Sequence, residues 1–354
     1  MRAAYAPYTL NFITPGGTSR GVMTTKDTYF IKLWDESNPE IFGIGECALF
    51  KGLSIEDDAN YEAKLQELCI NIENGEATDL SDHSSILFGF ETAILDFSNG
   101  GNRICYPTAF TEGNYHIPIN GLVWMGNKED MIKRIDEKVN AGFHTIKLKI
   151  GAIDFAQELE MIEYVRTRYS EIDLEIRLDA NGGFSPENAL QRIDALSKYK
   201  IHSIEQPIKA GLWDEMAKIC NKSNIAIALD EELIGITNPM MMMEVLKNIR
   251  PHYIILKPSL MGGMSGSLEW LKMAAQFQIG GWITSALESN IGLNALAQWV
   301  TTLQPRISQG LGTGGIFSNN ISSPLYQNKD FLGYNHNTKW QIPELNWIST
   351  KNFK

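Results

Sequence analysis

Six apolar segments between residues 144 and 286 each close on a polar side chain: Lys149, Asp179, Glu205, Asp230, Lys257 and Ser285. By subtraction, consecutive members lie 30, 26, 25, 27 and 28 residues apart. The segments are too apolar to alternate like half-solvated strands, and a helical period follows each of them, over 154–169, 186–199, 212–222, 238–248, 264–277 and 290–302. A repeat of this length, with strands buried on both faces, means parallel strands covered by helices. A segment at 117–123, followed by a helix over 127–141, and a weaker one near 305–310 bring the count to eight. The spacing therefore predicts an α/β fold, a (β/α)8 barrel of the modified TIM type. The alternative, a doubly wound open sheet, calls for a glycine-rich phosphate loop after its first strand, and the sequence has none.

The first hundred residues have a different texture. Strand-like runs at 9–12, 27–34 and 41–47 read as an antiparallel meander, and 55–74 and 84–98 have helical spacing. This predicts an α+β capping domain over 1–115 and the barrel over 116–324. The turn-rich segment 15–21 is too long for a two-residue hairpin and reads as a mobile connector. It is also a candidate to close over a bound substrate, with Arg20 placed to meet a carboxylate.

Composition narrows the function. The chain has 354 residues, 44% hydrophobic and 21% charged, and a formal net charge of −11. That balance argues against nucleic acid and anionic membrane surfaces as partners. No apolar run reaches spanning length, and residues 1–8 lack the apolar core of a signal peptide, so a cytoplasmic location is expected. The four cysteines form no C-x-x-C pair, which implies neither a disulfide framework nor a zinc site. The expected partner is a small-molecule carboxylate, and self-association stays open.

Barrel strands converge at their C-terminal ends, where active sites sit. Asp179, Glu205 and Asp230 then share one mouth, and three carboxylates there repel unless a cation lies among them. Oxygen donors without His or Cys select a hard ion, Mg²⁺ or alternatively Mn²⁺. Lys147 and Lys149, two apart on one strand, share a face and flank the acids on one side, with Lys257 on the other. This set suits abstraction of a proton α to a carboxylate. A lysine serves as base only if its pKa falls well below about 10.4, and a neighbouring ammonium together with a metal charge would lower it.

Lys147-x-Lys149, the Asp179, Glu205 and Asp230 series, and Lys257-Pro258 resemble the enolase superfamily, muconate-lactonizing-enzyme subgroup. No histidine ends the seventh strand, unlike the mandelate-racemase branch. Segments 177–181, 204–207, 256–260 and 285–293 most resemble the o-succinylbenzoate synthase family of menaquinone biosynthesis. The resemblance covers nearly the whole chain, including a tail, 325–354, that returns to the cap. It implies a carbon–oxygen lyase, dehydrating 2-succinyl-6-hydroxy-2,4-cyclohexadiene-1-carboxylate with Mg²⁺ on the three acids. By resemblance, Lys149 removes the α proton, Lys257 stabilises the enediolate from the opposite face, Lys147 supports the base, and Arg177 approaches the succinyl group. Relatives that racemise N-succinylamino acids or epimerise dipeptides use both lysines, and the residues here leave that alternative open. Dipeptide epimerases carry an Asp-x-Asp after the eighth strand, where this chain has the glycine-rich 310–317.

Other residues belong to the same reading. Asn181 is expected to orient the ligand set. Glu231 is expected to point away from the mouth by strand alternation, or to support the base lysine. Ser259, Ser285 and Glu288 are candidate pocket residues. The four methionines 240–243 read as helix packing, and Trp124 and Trp282 as packing residues, with Trp282 near the mouth. The histidines, His144 and His202 among them, form no ligand pair.

Overall fold

The computed structural model describes residues 1–18, 21–151 and 153–352. β1 (Arg2–Thr18) and β2 (Gly21–Asp35) form a long antiparallel hairpin, and β3 (Asn38–Cys47) pairs with the other edge of β2. The β1–β2 ladder shifts register between Asn11 and Gly16, then continues to Thr18↔Gly21. Within the expected loose connector at 15–21, residues 16–18 and 21 are instead paired strand. Tertiary contact explains the difference: the Met125 amide donates to the Gly17 carbonyl at 3.3 Å, and a Cβ at Gly17 would stand 2.8 Å from the Met125 oxygen. The glycine lets the β1 ladder at residue 17 rest directly on the barrel backbone. Arg20 lies outside the described residues.

Both faces of this sheet are covered. Ala3, Tyr5, Ile31 and Leu33 pack against α1 (Tyr61–Asn74) and α2 (Ser84–Ser98) through Leu65, Leu68 and Ile86. Each buried Leu or Ile among them contributes about 1.5–3 kcal/mol. The other face carries Ala6, Phe30 and Ile44, which meet Ile291 and Ile321. At Gly45 a Cβ would lie 1.8 Å from the Gly89 oxygen, so only glycine lets α2 rest directly on β3. Helix α1 starts six residues later than the expected position 55. Asp57 and Asp58 accept backbone N–H groups of Gly52 and Asn60, which holds that stretch in turns.

The expected strand 117–123 is split. β4 (Ile117–Pro118) leaves the barrel, and β5 (Gly121–Val123) enters it. After α3 (Lys128–Asn140) the chain alternates through β6 (Thr145–Lys149), α4 (Phe155–Arg166), β7 (Glu175–Asp179), α5 (Pro186–Ser197), β8 (Ser203–Glu205) and α6 (Trp213–Lys222). It continues through β9 (Ala226–Leu229), α7 (Pro239–Ile249), β10 (Tyr253–Leu256), α8 (Gly263–Gln276), β11 (Gly280–Ile283) and α9 (Asn290–Thr302). Strands β5 to β11 lie side by side in chain order and parallel. Residues 309–310 close the ring: Gln309 bridges Ile119 and Gly310 bridges Thr284, both in parallel sense. The fold is the expected barrel, its eighth strand reduced to this short closure.

Outward-facing Ile146, Leu148, Ile176, Leu178 and Ile204 join the helix-facing core, while Ala228, Ile255 and Trp282 fill the interior. β4 pairs with β13 (Phe331–Tyr334), which pairs with β12 (Leu325–Asn328), and β14 (Ile348–Ser349) adds to β1. Of the four consecutive methionines only Met242 is buried; Met240, Met241 and Met243 are exposed. A helix turns 100° per residue, so four in a row cannot share one buried face. No helix of the described residues is long and apolar enough to cross a membrane.

Candidate active site

Register assembles the site. Lys149, Asp179 and Glu205 occupy one cross-strand row, and Lys147, Arg177 and Ser203 the row beneath it. Since the side-chain period of a strand is two, both rows point to the same side, into the barrel. Asp230 and Lys257 stand one residue past β9 and β10. Lys147 Nζ lies 2.6 Å from both oxygens of Glu205 and 2.9 Å from Asp179 Oδ2. Lys149 Nζ donates to Asp179 Oδ2 at 2.7 Å and to Asn181 Oδ1 at 2.8 Å. Lys257 Nζ donates to Asp230 Oδ2. All six expected groups therefore converge.

The electrostatics are uneven. Burial opposes ionisation of Asp179, but Lys147 and Lys149 outweigh it and hold its carboxyl far below the usual range. Lys257 and Lys147 do the same for Asp230, against burial. Glu205 goes the other way: burial and the charge of Asp179 push its pKa well up despite Lys147. Burial tends to neutralise Lys147, yet Asp179, Glu205 and Asp230 together raise its pKa. Three acids surround that lysine and outweigh its burial.

These residues fit a hard cation. The donors are all oxygen, burial and Asp179 hold the Glu205 carboxyl up in spite of Lys147, and Asp230 Oδ1 is buried without a hydrogen-bond partner among the described residues. Among the described residues no three acidic, His or Cys side chains already form an ion cage, because the lysine ammonium groups stand between the acids. Asp179, Glu205 and Asp230 could hold a divalent ion once those contacts open.

Asn181 and Glu231 belong to the mouth. Asn181 adopts φ 44°, accepts from Lys149, and donates to Glu231 Oε1 at 2.9 Å. The expectation that Glu231 points away fails because the strand stops before Asp230 and Glu231 opens a 3₁₀ turn, so alternation no longer applies. Arg177 is not brought to the cavity. Its Nε donates to Glu175 at 2.8 Å, its guanidinium accepts stacking from Trp282 at 4.4 Å, and another nitrogen donates to the Ser308 carbonyl. It lies one layer below the ligand row, and Trp282 lies with it rather than at the mouth. His144 bonds Asp330, and His202 stacks on Tyr253.

A cleft opens above the lysines. Lys147, Lys149, Asn181 and Lys257 form its floor; Asn120, Thr284, Ser285, Gly310 and Thr313 line the far wall. Met23, Phe50 and Leu53 from the N-terminal region, with Leu122 and Trp124, make the apolar roof. Ser285 donates to Glu288 at 2.5 Å, and Ser259 donates to the other oxygen of Glu288 at 2.7 Å. Ser259 is fully buried and does not line the cleft. Sequence reasoning missed Asn120, Thr284 and Thr313 as lining residues and took Trp124 for packing. For Thr284 a signal existed: with Trp282 inside the barrel, period two puts 284 inside as well. Met23, Phe50 and Leu53 arrive by long-range docking and carry no local signal.

The family model described as Enolase C-terminal domain-like matches residues 130–312. O-succinylbenzoate synthase from Desulfotalea psychrophila is 41% identical over 94% of this chain and 99% of its own length. The crystal structure of MenC from Desulfotalea psychrophila LSv54 superposes with a TM-score of 0.84, at 38% identity, over 94% of this chain and 99% of that one. A dipeptide epimerase from Enterococcus faecalis V583, complexed with Mg and the dipeptide L-Leu-L-Tyr, shares the fold at 18% identity, TM-score 0.78, over 94% and 96%. The chain belongs to the enolase superfamily and, within it, to the o-succinylbenzoate synthase family.

Proposed function

We propose that the chain dehydrates 2-succinyl-6-hydroxy-2,4-cyclohexadiene-1-carboxylate to 2-succinylbenzoate, as a Mg²⁺-dependent cytoplasmic enzyme of menaquinone biosynthesis. The observation that carries the reading is the convergence of three acids with three lysines under one cleft. In the same reading residues 1–115 with the tail 325–354 form a cap, and 116–324 the catalytic barrel.

Asp179, Glu205 and Asp230 would hold the ion. When bound, a divalent ion offsets negative charge gathering on the substrate carboxylate and favours the neutral amine of a nearby lysine. Lys149 takes the proton from the carbon α to that carboxylate. The same lysine, now an ammonium, returns a proton to the hydroxyl leaving from the same face. The C–H and C–O bonds break, water departs and the ring becomes aromatic. Lys257, across the cleft, faces the charge as it develops. Lys147 anchors Glu205 and Asp179, and Asn181 with Glu231 steadies Lys149. The apolar roof excludes water from the reacting carbon.

A second reading has its own support: Lys149 and Lys257 both line the cleft, which suits a two-base racemisation of an N-succinylamino acid or dipeptide. One experiment separates the two. Purified protein with Mg²⁺ is given the cyclohexadiene substrate, and separately N-succinylamino acids in deuterium oxide. Formation of 2-succinylbenzoate is expected; deuterium wash-in with no aromatic product would replace the first reading by the second.

A further inference from the structure

Beneath the cleft wall lies a second buried charge cluster that the reaction does not use. Lys26 and Thr28 on β2 and Glu46 on β3 face the barrel, opposite Glu288 and the start of α9. Glu46 accepts from Thr28 at 3.0 Å, from the Ser289 hydroxyl at 2.5 Å and amide at 2.9 Å, and from the Gly292 amide at 3.0 Å. It caps the helix and has no capacity left over. Lys26 Nζ is buried and makes no hydrogen bond among the described residues.

Glu288 accepts on both oxygens, from Ser259 and from Ser285. An ionised Glu288 can only accept, and Ser259 and Ser285 are then its donors. The Ser285 oxygen in turn accepts from the Thr313 hydroxyl at 2.9 Å and the Leu287 amide at 3.0 Å. Thr313 has thus given away its one hydrogen and offers the cleft lone pairs alone. With a proton on Glu288 the chain reverses: Glu288 donates to Ser285, Ser285 to Thr313, and Thr313 into the cleft. The charge on Glu288 therefore sets whether the wall accepts or donates.

We propose that Lys26, carried by the N-terminal sheet, is a positioning residue that keeps Glu288 ionised and so fixes the cleft wall at Thr313 as a hydrogen-bond acceptor. Lys26 is the cation facing Glu288; the acid Glu46 faces it from β3, Ser259 and Ser285 from the barrel, and Asp27 lies beside Lys26. Burial pushes the Glu288 carboxyl up and the Lys26 amine down, and the opposite charge of each partner works against both shifts. Removing the lysine leaves Glu288 and Glu46 as two buried acids without a counter-charge. Ser285, expected as a substrate contact, is committed on its donor and both lone pairs.

The assay depends on the proposed reaction, so the first readout avoids it. Infrared difference spectra at pH 7, wild type minus Glu288→Gln, are expected to show an ionised carboxylate band. The same difference in a Lys26→Met background is expected to show a protonated carboxyl. A protonated band in wild type, or an ionised one in both, overturns the inference whatever the activity. In the second readout, Lys26→Met is expected to lower kcat/KM about tenfold at pH 7, with recovery as pH rises and Glu288 ionises again. Adding Glu288→Gln should return it to within about threefold, since the amide oxygen still accepts from Ser285. Equal loss in the single and double variants overturns the proposal. If Lys26→Met does not fold, the wild-type band and the pair Glu288→Gln and Glu288→Leu decide: an ionised band in wild type and kcat/KM at least about tenfold lower for Leu than for Gln are expected, and a protonated wild-type band or equal kcat/KM in the two variants overturns it. Turnover absent from wild type counts against the proposed reaction, not against this inference.

Discussion

On one side of the barrel mouth, five neighbouring strands of a single sheet deliver three lysines and three acids. On the other, Thr284, Ser285, Gly310 and Thr313 meet Met23, Phe50 and Leu53, which come from the chain's first sixty residues. The first wall is held by backbone register, so each charged group has a fixed neighbour: Lys149 beside Asp179, Asp179 beside Glu205. The second is held by docking, through contacts such as Gly17 on Met125 and Glu46 on Ser289. The charged wall suits chemistry, which needs groups placed within tenths of an ångström. The docked wall suits selection, because its shape depends on how the cap sits.

If that division holds, variants on the two walls separate kinetically. The largest effect belongs to Lys149→Ala, expected to lower kcat by about 10²–10⁴ in steady-state turnover with the fold intact by circular dichroism. A loss in KM alone would move Lys149 to the selecting wall. Next is Asn181→Ala, which removes one hydrogen-bond partner each from Lys149 and Glu231 and is expected to cost about 10–100-fold in kcat/KM. A smaller effect is expected of Phe50→Ala: KM rising about tenfold with kcat changing less than about twofold. Loss of kcat there would erase the distinction between the walls.

The smallest effect is in the cap and reads its pH tolerance. Burial first, then the charge of Glu62, lifts the Tyr29 hydroxyl from 10.0 to about 12. Its folded pKa lies above the unfolded one, so the stability it brings is complete below about pH 10 and fades as pH climbs towards 12. Alkaline titration of phenolate absorbance is expected to lose one late-ionising tyrosine in Tyr29→Phe. The acid–lysine wall has no such tyrosine, so the cap is expected to loosen first at high pH.

The same contrast explains what was legible in the sequence. Lys149, Asp179, Glu205, Asp230 and Lys257 could be read because a βα repeat puts one strand end per period at the same mouth. The helices over 84–98 and 290–302 were equally plain, since their apolar period is unbroken. Arg177 misled because period two gives the face of a strand but not the depth, and two residues back is one layer down. Glu231 misled because the strand stops before Asp230. Gly16 and Gly17 read as loop, although contact with the barrel holds them in a ladder. Phe50 and Leu53 look like any apolar residues until the cap is docked. The cluster of Lys26, Glu46 and Glu288 joins positions more than 200 residues apart, beyond any local pattern.

The most direct test is ion binding. Chelator-treated protein would be titrated with Mn²⁺ by electron paramagnetic resonance, in wild type, Glu205→Gln and Asp230→Asn. One Mn²⁺ per chain is expected, displaced by Mg²⁺ and bound at least about tenfold more weakly in each variant. Wild-type protein that binds no divalent ion, or binds it equally well without Glu205 and Asp230, contradicts the account.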